Sequence, residues 1–402
     1  NFAPRFGFAY RPFKDNSAVI RGGYGIVYSS ENLYTTGYGS FVAPFSGLFL
    51  WRTRAALQPD RINHLVPMDQ EPYQLPLTSP TSPGNTWVNH RYYPTGYVQH
   101  WNLGFSRELG WGVVAEASYV GSKGTNLNGL GSLRSYDPDL LQLIRQNNPA
   151  WTSNISLRLK GFNSSYNSLQ TKLSKRFRKG ISFLAAYTWA HALAEASNDF
   201  VDENLDEIDP ENPGTYVYNR IKTNADFDVR HRFTLSGTLE LPFGRGKAIG
   251  SEWNSFVNTL FGGWRVNMIT TMQSGQPFSV RGANGRPPDR ICDGNLPSSE
   301  RTVEKWFDYD CFVDTTSTTV NGNSPPNIIR GPNLISFDFG AHKDIRFTET
   351  MRLQLRGEAF NAFNRVNLIG PSLNYFVTNA SGARLTRQRD NRSLQFGIRF
   401  FF

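Results

Sequence analysis

The sequence has no long hydrophobic run, and this excludes a membrane-spanning helix. No segment reaches the roughly 18 consecutive apolar residues that such a helix needs, and the mean hydropathy is −0.44. The absence does not exclude a membrane protein, because the strands of a transmembrane β-barrel alternate apolar with polar residues and give only a weak hydropathy signal.

Catalytic and nucleic-acid-binding motifs are also missing. The chain contains no Gly-x-Ser-x-Gly, His-Glu-x-x-His, Cys-x-x-Cys or Gly-Lys-Ser/Thr sequence, so neither nucleophilic nor phosphate chemistry is indicated. The formal net charge is +9, but the basic residues are dispersed and form no basic run. We therefore expect no enzyme, no nucleic-acid partner and no cofactor. The candidate metal-binding histidines are scattered, which argues against a metal site: His100, His191, His231 and His342.

Cysteine is scarce, and the two cysteines, Cys292 and Cys311, lie in one segment. An even number in an oxidising compartment favours a loop disulfide between them, with two buried thiols as the alternative. The chain begins without a signal peptide, and its first residues already have a strand pattern. We therefore expect the N-terminus of the protein to lie elsewhere.

Aromatic residues and glycine are abundant, with 36 Gly, 30 Phe, 17 Tyr and 9 Trp. This composition is typical of a turn-rich β protein. The last ten residues give the clearest pattern, because apolar residues at every second position predict a strand with one apolar and one polar face. The apolar positions are Leu394, Phe396, Ile398, Phe400 and Phe402.

The same two-residue period recurs along the chain and predicts about eleven strands. The connections between them alternate between short or modest and long. The long ones cover about 29–93, 122–163, 194–226, 278–332 and 365–392, and a modest one holds a small helix at about 253–260. An up-and-down transmembrane barrel has short periplasmic turns on one side and long extracellular loops on the other. We therefore predict an all-β, antiparallel up-and-down transmembrane β-barrel fold.

Charged residues occupy the polar side of several predicted strands. A charged side chain facing mid-bilayer lipid costs about 2–4 kcal/mol, so these residues are predicted to face the lumen. There they either line a water-filled pore or pair with a plug. The predicted lumen-facing residues are Lys172, Arg176, Arg232, Glu240, Arg265, Arg352, Arg356 and Glu358.

An ordered set of short motifs resembles the barrel of TonB-dependent outer-membrane receptors, most like the Oar-like branch that carries a carboxypeptidase-regulatory-like domain. The motifs lie at 1–10, 21–26, 99–103, 107–110, 119–124, 187–189, 226–233, 241–246, 273–278, 358–364 and the terminal strand. The resemblance implies a barrel of about 22 strands filled by an N-terminal plug. Residues 1–402 then form its C-terminal half, without the plug and the N-terminal domains.

The resemblance also implies partners and a location. These are the lipid of the Gram-negative outer membrane, the TonB complex acting through the missing plug, and a nutrient ligand of unknown identity. A terminal strand ending in Phe resembles the signal that the barrel-assembly machinery recognises, here Phe396, Ile398, Phe400 and Phe402.

Several alternatives remain open at the level of sequence. The expected function is energy-coupled import of a scarce, bulky nutrient such as a siderophore, glycan or peptide; the alternatives are a structural or adhesion protein and a passive porin. The acidic stretch 199–211 either binds Ca²⁺ or is a solvated loop. The loop aromatics either capture ligand or pack against one another. These aromatics are Trp51, Tyr73, Trp87, Tyr92, Tyr93, Trp151, Tyr216, Tyr218, Trp306 and Tyr309.

Overall fold

A computed structural model gives the fold of the chain. It describes residues 2–14, 17–28, 86–89, 94–132, 155–196, 222–282, 287–315, 322–371 and 375–402, with a few single positions between them. Within these ranges, no helix has both the length and the apolar character needed to cross a bilayer.

Eleven strands form one antiparallel sheet, which we call the wall. Each strand pairs with the strand before and after it in sequence, as an up-and-down barrel requires. The strands are β1 Arg5–Tyr10, β2 Ala18–Tyr28, β3 Tyr97–Gly110, β4 Val113–Ser132, β5 Ile155–Arg178, β6 Ile181–Ala194, β7 His231–Glu240, β8 Trp264–Gln273, β9 Leu334–Arg346, β10 Arg352–Phe360 and β11 Ser393–Phe401. Two short strands join it, Thr86–Asn89 beside β5 and Thr223–Asn224 beside β6. The predicted fold class is confirmed.

The strand register separates the wall into two faces, because residues paired across antiparallel strands point to the same side. On one side Met268 pairs with Phe339, Phe339 with Ala359, and Ala359 with Leu394. We call this side the apolar face. Phe396 on the same side is 81% exposed. A continuous exposed apolar surface of this kind is what a lipid-facing barrel wall presents.

The opposite side, the polar face, carries the charged residues of the wall. Glu116 pairs with Lys172 between β4 and β5, and Glu240 pairs with Arg265 between β7 and β8. Polar and charged groups stay hydrated or paired on this side, while the other side is left to lipid.

Strands β4 and β5 correct one expectation. The sequence predicted an irregular segment at 122–163, but β4 continues to Ser132 and β5 begins at Ile155. A strand of about 9–11 tilted residues already crosses a bilayer, so these 20-residue and 24-residue strands extend beyond it. Serine, glycine and asparagine interrupt the alternation in 122–132, which hides the extension of β4. In β5 the alternation was present but overlooked, since Ile155, Leu157 and Leu159 are separated by polar residues.

The connections fall on two rims. On the short rim they span 11–17, 111–112, 179–180, 241–263 and 347–351, and on the long rim 29–96, 133–154, 195–230, 274–333 and 361–392. One short-rim connection, 241–263, is as long as the long-rim connection 133–154. Its length comes from the helix α1, Ser255–Phe261. The sequence predicted this helix at nearly the same position. Most of 29–96, 133–154 and 195–230 lies outside the described residues.

Two long-rim connections fold together into a small body with its own core, which we call the cap. Its short strands are Pro277–Arg281, Asp289–Arg290, Phe312–Val313, Ile329–Arg330, Leu368–Ile369, Tyr375–Val377 and Arg387–Gln388, with a 3-10 turn at Tyr309–Cys311. Strand Pro277–Arg281 pairs with Ile329–Arg330 and with Tyr375–Val377, so residues from both connections share one sheet. The sequence predicted these segments only as long loops.

Candidate functional site

The cap is held together by aromatic packing and one disulfide. Phe307 and Phe376 are fully buried, with ring centroids 5.0 Å apart. Cys292 and Cys311 are joined in a disulfide, the pairing that the sequence favoured. Such a core makes the cap a folded element and not a set of independent loops.

Two of the ten loop aromatics, Trp306 and Tyr309, pack against this core. Trp306 Nε1 also donates a hydrogen bond to the Arg330 carbonyl at 2.8 Å. Mutual packing is therefore the role of these two residues. The side chains of the other eight lie outside what the structure describes.

Two basic side chains, Arg301 and Lys305, lie against aromatic rings of the cap. Arg301 lies over the Trp306 ring at 5.6 Å, and burial lowers the pKa of its guanidinium. Lys305 lies 2.9 Å from Asp308, and this hydrogen-bonded partner raises the pKa of the lysine. Asp308 at 2.9 Å and Asp310 at 4.0 Å compensate the charge of Lys305, so these cations anchor side chains within the cap.

The cap meets the wall at a buried carboxylate, Asp228. Its side chain is fully buried. Oδ1 accepts a hydrogen bond from the Ala192 backbone N–H at 2.7 Å, at the long-rim end of β6. Oδ2 lies 3.0 Å from Arg230 Nε and 2.7 Å from Arg330 Nη2. Since Arg330 belongs to the cap, one carboxylate links the cap, the wall and the chain entering β7.

Further polar residues complete this junction, which we call the rim cluster: Asp228, Arg230, Arg330, Asn224 and His191. Arg230 Nη2 lies 2.7 Å from His191 Nε2 and 3.0 Å from Asn224 Oδ1. Arg330 Nη2 donates to the same amide oxygen at 3.1 Å. Each buried charge is therefore paired and hydrogen-bonded, which is the condition under which such a cluster stabilises a structure.

A cavity of about 340 Å³ opens on the polar face beside the rim cluster. Register assigns its wall residues to the polar face, since Tyr166 pairs with Ala192, and Thr188 pairs with both Gln170 and Arg232. Phe227 stands at the cavity and is 60% exposed. An exposed aromatic ring beside a cation and several hydroxyl and amide groups suits a polar ligand with apolar parts. The lining residues are Tyr166, Gln170, Thr188, Ala190, Ala192, Phe227, Asp228, Val229 and Arg232.

Register places seven of the eight predicted lumen residues on the polar face: Lys172, Arg232, Glu240, Arg265, Arg352, Arg356 and Glu358. The eighth, Arg176, lies at a register shift between Lys175 and Arg178, where no Cα partner across β6 fixes its side.

Several of these charges pair with one another along the short-rim half of the polar face. Lys172 Nζ lies 2.9 Å from Glu116, and Arg265 lies 3.1 Å from Glu240 and 3.8 Å from Asp344. Arg232 instead lines the cavity near the long rim. The sequence predicted that these residues share one face of the wall. It did not predict that they separate into ion pairs near the short rim and a cavity-lining arginine near the long rim.

The predicted assembly residues continue the apolar face. Phe396 pairs with Gly357, Ile398 with Leu355 and Phe400 with Leu353. Phe402 follows the end of β11 and is 95% exposed. The four residues therefore form one exposed edge row toward the short rim.

Metal binding was an open question at two places. No group of three or more His, Cys, Asp or Glu side chains gathers within the part of the chain that the structure describes. His231 lies on the apolar face, with its Nδ1 2.9 Å from the Tyr187 hydroxyl. The acidic stretch 199–211 lies outside the described residues.

The disulfide supports a first prediction. Replacing both Cys292 and Cys311 by serine is expected to destabilise the cap by about 2 kcal/mol, at the low end of the usual range because the aromatic core remains. Hydrogen exchange should accelerate roughly 30-fold in the cap and stay unchanged in β7 and β8. Equal acceleration in the wall would contradict an autonomous cap.

Comparison with known proteins gives the family. The family described as "Outer membrane beta barrel domain" matches residues 1–395. The outer membrane transporter YddB from Escherichia coli has 11% identity and a TM-score of 0.53, and the match covers 100% of this chain and 41% of YddB. The chain thus spans less than half of that structure. At this identity the likeness shows the fold alone.

The outer-membrane ferripyoverdine receptor of Pseudomonas aeruginosa has 11% identity and a TM-score of 0.46, over 100% of this chain and 33% of that chain. A search of curated proteins returns no match. These comparisons show the barrel fold, and the assignments to TonB-dependent receptors and to their Oar-like branch stay predictions. The chain belongs to the outer membrane beta barrel domain family and lies in the outer membrane.

Proposed function

We propose that the chain is the C-terminal half of a TonB-dependent receptor barrel that imports a scarce, bulky nutrient such as a siderophore, a glycan or a peptide. The observation that carries the proposal is the position of the cavity. It lies on the polar face, next to the long rim, and directly beside the residues that fasten the cap. A ligand arriving from outside would meet the cap, then the exposed ring of Phe227 and the guanidinium of Arg232.

The remaining partners follow from this proposal. The charged group on the short-rim half of the polar face, which includes Arg265 and Glu240, would contact a plug contributed by another part of the protein. That plug would connect the receptor to the TonB complex. The apolar edge row of β11 would be the element that the barrel-assembly machinery recognises.

Growth of a deletion strain on scarce iron chelates, oligosaccharides and peptides tests the proposal. Uptake should return with the complete gene and fail when the energy-transducing complex is disabled. Passage of small solutes that continues without that complex would identify a passive porin instead.

Phe227→Ala provides a second prediction. Removing the exposed ring at the cavity is expected to lower the apparent affinity for the transported ligand by about tenfold, the loss of roughly 1.4 kcal/mol of aromatic contact. Trp111→Ala is the matched control, because Trp111 is 87% exposed on the short rim and should leave uptake unchanged. Equal effects of the two substitutions would remove the cavity from the transport path.

The folded cap favours one alternative, a surface protein that displays it for adhesion. A core and a disulfide within long-rim connections would also suit a displayed binding surface. Deleting cap residues 287–315 distinguishes the two functions. Loss of uptake with surface attachment retained supports import, and the reverse result supports adhesion.

A further inference from the structure

A second cavity lies on the opposite side of the wall, between the apolar face and the connection 241–263. Its volume is about 520 Å³, within the range of about 300–1,000 Å³ that is usual for ligand sites. Every lining side chain is apolar or aromatic: Leu241, Phe243, Ile249, Trp253, Phe261, Trp264, Val266 and Ala341. The cavity is distinct from the one at the rim cluster and plays no part in the proposed import.

The wall side of this cavity is continuous with the lipid-facing surface. Val266 pairs with Leu239 on β7 and with Ala341 on β9, and all three belong to the apolar face. Because the chain lies in the outer membrane, hydrocarbon covers this face. The cavity therefore opens into lipid and not into water.

A buried lysine, Lys343, attaches the connection 241–263 to the wall through hydrogen bonds. Lys343 pairs with Trp264 and Leu355, which puts it on the apolar face, yet it is only 4% exposed. Its ammonium donates hydrogen bonds to the carbonyls of Gly262 and Asn258 at the end of α1, and lies 5.7 Å from the centroid of the Trp264 ring. A cation near a helix C-terminus is favourable. Lys343 therefore holds the connection 241–263 in place over the cavity.

Helix α1 presents apolar side chains outward. Phe256 is 78% exposed and Leu260 52%, while Phe261 lines the cavity. Apolar and aromatic side chains on such a helix sit at the membrane interface. Arg245 is exposed in the same connection, and its Nε donates to the carbonyl of Trp253 at 2.7 Å. This hydrogen bond holds a cation beside a cavity-lining residue, where it could attract an anionic lipid phosphate.

We propose that this cavity binds an acyl chain of a phospholipid from the periplasmic leaflet, with the lipid phosphate near Arg245. The short rim faces the periplasm in the up-and-down arrangement, and phospholipid is the lipid available there. The connection 241–263 thus acts as a lipid clamp on the outside of the barrel. The proposal rests on outer-membrane location and is independent of what the barrel transports.

Photo-crosslinking in the complete protein tests the proposal. The protein is reconstituted in lipid vesicles that contain phosphatidylethanolamine with a photoreactive diazirine on one acyl chain. After illumination, the crosslinked peptides are identified by mass spectrometry. Peptides from 241–263 and the Ala341 region should be labelled at least fivefold above other apolar-face peptides. Uniform labelling along the apolar face would overturn the proposal without any variant being needed.

A pair of substitutions sharpens the test. Ala341→Trp fills the cavity and should reduce labelling of 241–263 at least fivefold. Ala117→Trp is the control, since Ala117 is exposed on the apolar face of β4, paired with Phe105 and Thr171 far from the cavity. Labelling that survives Ala341→Trp, or that falls equally in both variants, would contradict a specific site. Membrane insertion of both variants is checked by their resistance to added protease. If either variant fails to insert, the distribution of labelled peptides in the wild-type protein decides between the two outcomes.

Discussion

Replacing Asp228 with alanine is expected to loosen the cap from the wall at a cost of about 3–5 kcal/mol, the penalty for removing one partner of a buried ion pair. The substitution leaves Arg230 and Arg330 facing each other without the carboxylate that holds both. It also leaves the Ala192 N–H without its acceptor. Three elements lose their common attachment at once, so the effect should exceed that of any surface pair.

Hydrogen exchange and limited proteolysis of the complete protein measure this effect. Protection should fall by about two to four orders of magnitude around 222–230 and 327–331, and less in the cap core, which keeps its own packing and disulfide. Asp293→Ala is the matched control: it removes an ion pair with Arg290 at 2.8 Å, but Asp293 is 73% exposed. An exposed pair contributes about 0–1 kcal/mol. Comparable losses in the two variants would show that the junction is not held by its buried charge.

The wall could be predicted from sequence because its physical requirement is local. A strand between lipid and a polar lumen must alternate its side chains, and the terminal strand does so from Ser393 to Phe402. The segment 181–194 shows how pairing resolves ambiguity. Read alone, 184–186 and 190–194 suit a helix, but the tight turn before Ile181 fixes a partner, and the segment is β6.

The rim cluster could not be predicted in the same way. Asp228 and Arg230 are two residues apart, just before β7 begins. This spacing allows an ion pair between them. Arg330 lies about a hundred positions further along the chain, and nothing in the local pattern connects it to Asp228. The contact arises from how two loops fold over the rim, which is a tertiary effect.

The cap and the cavity beneath the connection 241–263 were missed for a related reason. Strands of two residues, such as Asp289–Arg290 and Phe312–Val313, are too short to show a period. Lys343 occupies an apolar-face position where alternation predicts an apolar residue. Its charge is compensated by the carbonyls at the end of α1, so the departure from the pattern marks the position where the connection 241–263 is attached.

The largest effect expected within the wall comes from Leu235→Arg. Leu235 lies in the middle of β7 on the apolar face, between Ala185 and Thr270. An arginine there must reach through hydrocarbon, at a cost of about 2–4 kcal/mol near the bilayer midplane. Reversible folding of the complete protein into lipid vesicles, followed by urea titration, should show a lower midpoint with an unchanged slope.

Ser236→Arg is the control that makes this experiment a test of sidedness, because it adds the same side chain one residue further along the same strand. Ser236 pairs with Leu184 and Ile269 on the polar face, where the guanidinium stays hydrated or finds a carboxylate. The change in unfolding free energy should therefore be under about 1 kcal/mol. A reversed order, with Ser236→Arg the more damaging, would mean that lipid lies on the charged side. The assignment of the cavity at Arg232 to the lumen and of the cavity at Ala341 to the membrane would then fail together, since both depend on the register of this one sheet.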